Sequence, residues 1–295
     1  MKIRYGVNTC DHNPNGNEIL IHFTKACPNK CSFCIDKTNI GVNTKKPDID
    51  AIIKTLNIYK DKVKNISISG GEPFVFIDEL ETLVNWIKEN TSLNILIFTS
   101  VPNICYDKKE QFFNILDKCD SIQISLQHYS EVISDRIRNS KTIFFRNDFY
   151  KEIIKHCGSE KIIGSINIIK PYFKTKYDII RNVCLFNQLG FKNIKICEMF
   201  DADDVYIDIP KMLKIKMNNP FSWGCKTEYT NTYDWVYNGK PFDGHLYIKR
   251  SCFYRTNHQK ANIWDFIKMC TRWMFAKKYF FAVLHENGEI APYWI

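Results

Sequence analysis

Residues 19–36 read ILIHFTKACPNKCSFCID: an apolar, partly β-branched run followed by cysteines at 27, 31 and 34. Ile19–Phe23 has the composition of a buried strand. The cysteine segment follows it directly, and two structural readings of its C-x3-C-x2-C spacing stand open. Positions i, i+4 and i+7 share one face of a helix, so the cysteines could be core residues. Against this, Pro28, Asn29, Ser32 and Asp36 make a poor helix interior. The spacing also allows a zinc site, which needs a fourth ligand such as Cys10 to close.

Working outward, the strand is the first of a series. A helix is expected to begin near Pro47-Asp48, with proline in a first turn. Asn65–Ser69 (NISIS) alternates like a strand, and Asp78–Asn90 carries apolar residues at helical spacing. Strands are expected at Asn94–Thr99, Ser121–Leu126, Ile162–Ile169 and Asn193–Glu198. Helices are expected at Asp107–Leu116, near Phe149–His156, and at Lys176–Leu189, which ends at the C-cap residue Gly190. Six β-runs separated by helices predict an α/β fold with a parallel sheet and right-handed crossovers. An open sheet and a curved partial barrel both satisfy this pattern. Either one puts the chemistry beyond the carboxyl ends of the strands, which is where the cysteine loop lies.

After about residue 205 the rhythm changes. Residues 206–262 are rich in Tyr, Trp, Asn, Gly and Pro, with a short β-run at His245–Lys249. Ile263–Ala276 reads as a helix. YFFAVLHENGEIAPYWI reads as a hairpin turning on Asn287-Gly288, a favoured two-residue turn. The expected organisation is an N-terminal extension (1–17), an α/β body (18–205) and a smaller α+β module (206–295).

The chain has 295 residues, 45% hydrophobic and 25% charged. That composition belongs to a globular protein and excludes a disordered one. No apolar run approaches the roughly 20 residues of a membrane helix. MKIRYGVNTCDHN lacks an apolar signal core, so a cytoplasmic location is expected. In a reducing compartment clustered cysteines bind metal or do chemistry rather than form disulfides. Cys105, Cys119, Cys157, Cys184 and Cys197 stand singly among apolar residues and read as small hydrophobes. The net charge of +9 is scattered and comes with no aromatic-basic motif, so it reads as solubility.

A third reading of the cysteine loop uses its missing ligand. Thiolates normally hold all four irons of a [4Fe–4S] cube, so three leave one iron open to another ligand. Cys27, Cys31 and Cys34, with the aromatic Phe33 before the last, follow the first strand. Gly70-Gly71-Glu72-Pro73 follows the second. In both features the sequence resembles the radical S-adenosylmethionine (SAM) superfamily, over roughly residues 18–200. The resemblance implies a partial (β/α)6 barrel and an oxygen-sensitive enzyme. A [4Fe–4S] cluster on the three cysteines would reductively cleave SAM, and the resulting 5′-deoxyadenosyl radical would take a hydrogen atom from substrate. It further implies that Gly70, Gly71, Glu72 and Pro73 cradle the methionine amino group, Glu72 adding an acceptor, and that Phe33 flanks the adenine. Ser125 and Gln127 fall where ribose-binding groups are found, and Arg138 and Lys170 are candidates for the SAM carboxylate. A flavodoxin- or ferredoxin-like protein is the implied one-electron donor.

Beyond the barrel, Cys225, Cys252 and Cys270 are candidate ligands of a second iron–sulfur cluster, as in twitch or SPASM extensions. They lack a C-x2-C pair. Cys225 alone is also a candidate hydrogen-atom donor. Asp201, Asp203 and Asp204, in the loop after the sixth strand, are candidates for binding a cationic substrate or moving protons. The extra module favours a peptide substrate. The alternative is a nucleotide or nucleoside, as in viperin-like or deazapurine-type enzymes. A zinc-stabilised nucleic-acid-binding protein is a third reading, which leaves Gly70–Pro73 unexplained.

Overall fold

The computed structural model of the chain describes residues 6–7, 18–31, 33–34, 45–199, 205–214, 227–230, 235–249, 278–279 and 281–291. Its strands are β1 (Glu18–His22), β2 (Asn65–Ser69), β3 (Asn94–Thr99), β4 (Ser121–Ser125), β5 (Ile162–Asn167), β6 (Asn193–Cys197), β7 (His245–Lys249) and β8 (Phe281–His285). Its helices are α1 (Ile49–Tyr59), α2 (Ile77–Asn90), α3 (Asn103–Asp107), α4 (Lys109–Lys118), α5 (Glu131–Arg138), α6 (Arg146–Cys157), α7 (Lys176–Leu189) and α8 (Ile209–Leu213). Local chemistry explains several boundaries. Asp48 caps α1 by accepting from the Ala51 amide at 3.0 Å. Thr175 and Asp178 form a capping box on α7, and Gly190 ends it at φ 116°.

Strands β1 to β6 lie side by side in chain order, all parallel. Sequential order decides between the two architectures left open by the sequence. When every crossover has the same hand and direction, every helix lands on the same face, and the sheet is singly wound like a barrel. The core agrees. Ile19, Ile21, Ile66, Ile68, Ile95, Ile97, Ile122, Ile124, Ile194 and Ile196 are fully buried in one cluster with Leu56, Leu80, Leu83 and Phe112 from the helices. Burying side chains of this size stabilises by about 1.5–3 kcal/mol each.

The opposite face of the strands is mixed, with polar residues set among Leu20, Leu96, Phe98 and Ile163. Register places Glu18 and His22 (β1), Ser67 and Ser69 (β2), Gln123 and Ser125 (β4), Ser165 and Asn167 (β5) and Lys195 (β6) together on it. In β2, β4 and β6 isoleucine facing the helix layer alternates with serine, glutamine or lysine facing the other way.

The C-terminal region adds to this sheet at both edges. β7 pairs parallel to β6, and β8 pairs parallel to β1. Short antiparallel strands at Thr227–Thr230 and Ile290–Ala291 finish the edges. The expected turn at Asn287-Gly288 has a longer form. Leu284 pairs with Ile290, and the His285 amide donates to Glu289 O, enclosing residues 286–288 with Gly288 at φ 80°. A three-residue loop with a left-handed glycine suits the strand twist as well. The hairpin docks on α1: Asp48 N donates to Glu286 O at 2.8 Å and Thr55 Oγ1 to Gly288 O at 2.7 Å. Beside it, His22 Nδ1 lies 3.3 Å from Glu286 Oε2 and Lys25 Nζ 3.7 Å from Glu286 Oε1.

Two helical expectations change. The helix expected over Asp107–Leu116 is α4, shifted two residues along the chain, and an unexpected short helix, α3, precedes it up to Lys108, which leaves helical geometry at ψ 49°. The sequence gives no signal for α5, because its buried side is made of Ser134, Ile137 and Arg138 and has no apolar period. The helix expected at Ile263–Ala276 lies outside the described residues. Among the described residues, no helix is long and apolar enough to cross a membrane.

Candidate cofactor site at the carboxyl ends of the strands

The cysteine loop leaves β1 and is at once joined to the loop after β2. Phe23 N donates to Ser69 O, Gly71 N to Thr24 O at 2.6 Å, and Glu72 N to Ala26 O at 2.8 Å. This backbone zipper needs both glycines. A Cβ on Gly70 would stand 2.5 Å from Thr24 O, and one on Gly71 2.3 Å from Ala26 O; Gly70 also has φ 128°. The close approach these glycines permit here is thus to the cysteine loop itself.

Glu72 is 1% exposed, and its two oxygens are already engaged. They accept from Ser100 N and Ser100 Oγ at 2.6 Å each, Thr99 Oγ1 at 2.9 Å and Phe74 N at 3.4 Å. Burial pushes its carboxyl up, against the pull of these donors. Glu72 therefore fixes the loop after β2 to the end of β3. It also caps the short 3-10 turn Pro73–Phe76.

The far side of the cysteine loop is held by two further groups. Asn29, 8% exposed, donates to Ser100 Oγ at 2.8 Å and accepts from Ser140 Oγ at 2.6 Å. Lys30 N donates to Arg138 O at 2.7 Å. The Arg138 side chain, 1% exposed, donates to Ser100 O at 2.8 Å, to Ser125 O, and to Leu126 O and Tyr150 OH at 3.4 Å. Arg138, expected as a candidate for the SAM carboxylate, thus has two guanidinium nitrogens on backbone carbonyls at the ends of β3 and β4, while its Nε is buried without a hydrogen-bond partner. Lys170 is exposed, outside this network.

Cys27, Cys31 and Cys34 are all half-buried in this loop, and Cys34 N donates to Cys31 O at 3.1 Å. Burial, with Glu72 as second cause, pushes the Cys27 thiol up to about 12. Burial pushes Cys31 up to about 11, opposed by the nearby Arg138 charge. Three soft sulfur donors on one short loop suit an iron–sulfur group. The ligand atoms of His22, His285 and Glu286 lie within 4.8 Å of one another. The His22, His285 and Glu286 group already has a cation beside it in Lys25, and ties β1 to the C-terminal hairpin.

The remaining expected residues divide. Phe33, 8% exposed, packs with Ile137, Ile169 and Met199 in a small apolar cluster that also touches Cys31. Ser125 lies half-buried on the mixed face. Gln127 is 4% exposed with φ 65°, and its Oε1 is buried without a hydrogen-bond partner. A buried amide oxygen left unsatisfied costs about 1–3 kcal/mol, which a donor from a bound ligand would recover. Cys10, Cys225, Cys252, Cys270, Asp201, Asp203 and Asp204 lie outside the described residues. Sequence reasoning missed Asn29, Ser100 and Ser140. The one available signal was a polar asparagine inside the cysteine loop.

Comparison with known proteins bears on this arrangement. No protein of curated function matches the chain. Among solved structures, it is similar to the radical S-adenosylmethionine methyltransferase TsrM from Kitasatospora setae, with cobalamin and a [4Fe-4S] cluster bound. That match has 14% identity and a TM-score of 0.48, and covers 61% of this chain and 36% of that one. It is also similar to anSMEcpe with bound AdoMet and Cp18Cys peptide, at 14% identity and a TM-score of 0.45, covering 61% and 50%. A third is HydG, a maturase of the [FeFe]-hydrogenase, at 14% identity and a TM-score of 0.47, covering 68% and 46%. The chain thus spans between about a third and a half of the length of these proteins. The profile of the Radical SAM superfamily matches residues 21–181, more than half of the chain and the whole of the cysteine loop and its supports. The chain belongs to the radical SAM superfamily of enzymes.

Proposed function

We propose that Cys27, Cys31 and Cys34 hold a [4Fe–4S] cluster and that SAM binds beside it, along the ends of β2 to β5. The carrying observation is the zipper between the cysteine loop and Gly70–Glu72, which sets three half-buried thiols at the carboxyl rim of the sheet. Together, when bound, cluster and SAM supply one-electron cleavage of a sulfonium carbon–sulfur bond and hydrogen-atom abstraction from substrate. The chain's own residues position and shield. Glu72, Asn29 and Arg138 fix the loops. Gly70, Gly71 and Pro73 shape the amino-group cradle, Ser125 and Gln127 Oε1 meet the ribose, and Phe33 with its apolar cluster keeps water from the adenine side.

In this reading residues 18–205 form the catalytic barrel of a cytoplasmic enzyme. Residues 206–295 cover the substrate, anchored by β7 and β8, and a flavodoxin- or ferredoxin-like donor supplies the electron. The substrate we favour is a peptide, from the extra module and its Cys225, Cys252 and Cys270. A nucleotide is the second reading, favoured by Lys195 and Lys249 on the mixed face.

Iron and sulfide counts after anaerobic reconstitution test both parts. About four irons per chain, lost in Cys27→Ala, support the single site. About eight, falling to about four when Cys225, Cys252 and Cys270 are all replaced by alanine, support a second cluster and a peptide substrate. No iron bound by the wild type overturns the assignment.

A further inference from the structure

Among the described residues, Lys195 is a cation on the sheet to which the arrangement above gives no task. Lys195 stands in the middle of β6 on the mixed face, half-buried, between Ser165 on β5 and Tyr247 on β7. One step toward the carboxyl rim, Asn167, Cys197 and Lys249 form the next row on the same face. Lys195 Nζ reaches across β5 and donates to Gln123 Oε1 on β4, a neutral acceptor. Among the described residues no carboxylate pairs with it. Its electrostatic neighbours are the Cys197 thiol and a second cation, Lys249. Burial, helped by Lys249, brings the Lys195 ammonium down to about 8.

A strand position that needs only volume is filled at lower cost by leucine or methionine. Burying an ammonium against an amide and a like charge is unfavourable until an anion arrives. Lysine suits that role as a compact charge with three donors that can turn toward a ligand. Gln123 holds Nζ in the meantime.

We infer that Lys195 and Lys249, with the hydroxyl of Ser165 and the amide of Asn167, form a subsite that binds an anionic group of the substrate, a carboxylate or a phosphate. The inference rests on the reading of this face as the substrate side, and it names which part of the substrate is held there.

The test is isothermal titration of the anaerobically reconstituted full chain, with SAM present, using inorganic pyrophosphate and succinate as probes. Saturable binding of at least one is expected, the preferred probe separating phosphate from carboxylate. Lys195→Gln should weaken it about tenfold or more, and Lys195→Arg should keep most of it. Acetic anhydride labelling of the wild type, mapped by mass spectrometry, reads the same site without a substitution. The bound probe should protect Lys195 several-fold and leave exposed Lys170 unchanged. No binding of either probe, equal binding by Lys195→Gln, or unprotected Lys195 would overturn the subsite. Neither readout involves SAM cleavage. Absent probe binding with intact SAM cleavage sinks the subsite alone, and the reverse pattern sinks the cofactor reading.

Discussion

Glu72 takes both the amide and the hydroxyl of Ser100, each at 2.6 Å, so that one carboxylate joins the end of β3 to the loop that supports Cys27. Replacing Glu72 with glutamine turns an acceptor into an NH2 facing donors. The expected loss is about 1–3 kcal/mol of stability, with a matching fall in retained iron. Thermal unfolding and iron content of Glu72→Gln check this. Unchanged values of both would show that the network does not support the site.

Gly71 has no room for a side chain. Its Cβ would lie 2.3 Å from Ala26 O, a backbone atom that cannot turn aside. Gly71→Ala must open the zipper, at a cost of roughly 1–3 kcal/mol or more. Iron should then be held more weakly although all three cysteines remain. Chelator challenge of the reconstituted variant against the wild type measures it.

The thiols give a pH dependence with a definite sign. Burial leads the causes that hold Cys27 up to about 12 and Cys31 up to about 11, so both carry protons at neutral pH. A soft metal must displace those protons, and affinity should rise with pH by about tenfold per unit for each proton released. Cobalt(II) titration of the metal-free protein between pH 6.5 and 8.5, followed by the thiolate charge-transfer band, reads the slope. A flat profile would contradict the placement of these thiols.

Glu286 sets an acid limit. The hydrogen bond from His22 leads the causes that bring its carboxyl down from 4.5 to about 2. A lowered carboxyl contributes stability that is present above its unfolded value and lost as pH falls through the folded one. The window is therefore between about pH 4.5 and 2. Because the group is partly solvated, its share is no more than about 1 kcal/mol. Denaturant unfolding of Glu286→Gln should show a shallower loss across that window than the wild type.

Much of the barrel was legible because its strands are short runs rich in isoleucine, several of them alternating with a polar residue. Asn65–Ser69, Asn94–Thr99 and His245–Lys249 have the bounds their patterns predict. What stayed hidden lacks a local period. The inward side of α5 is polar because Arg138 and Ser134 are bound there, and no amphipathic rule marks such a helix. Strand partners separated by 200 residues and more, as His22 and His285 are, leave no trace in spacing. In the site, cysteine and glycine spacing singled out two loops that the structure joins by backbone hydrogen bonds. The roles of Glu72 and Arg138 needed the hydrogen-bond inventory, because a charged residue near a ligand loop reads the same whether it meets the ligand or supports the loop. Lys195 was passed over as one strand residue among many.

The central claim is that three cysteines leave one iron open for SAM. Electron paramagnetic resonance of the reduced, reconstituted protein tests it directly. Adding SAM should shift the cluster's signal, because a new ligand reaches the open iron, and the shift should be absent from Cys31→Ala. A reduced-cluster spectrum that SAM leaves unchanged would contradict the account.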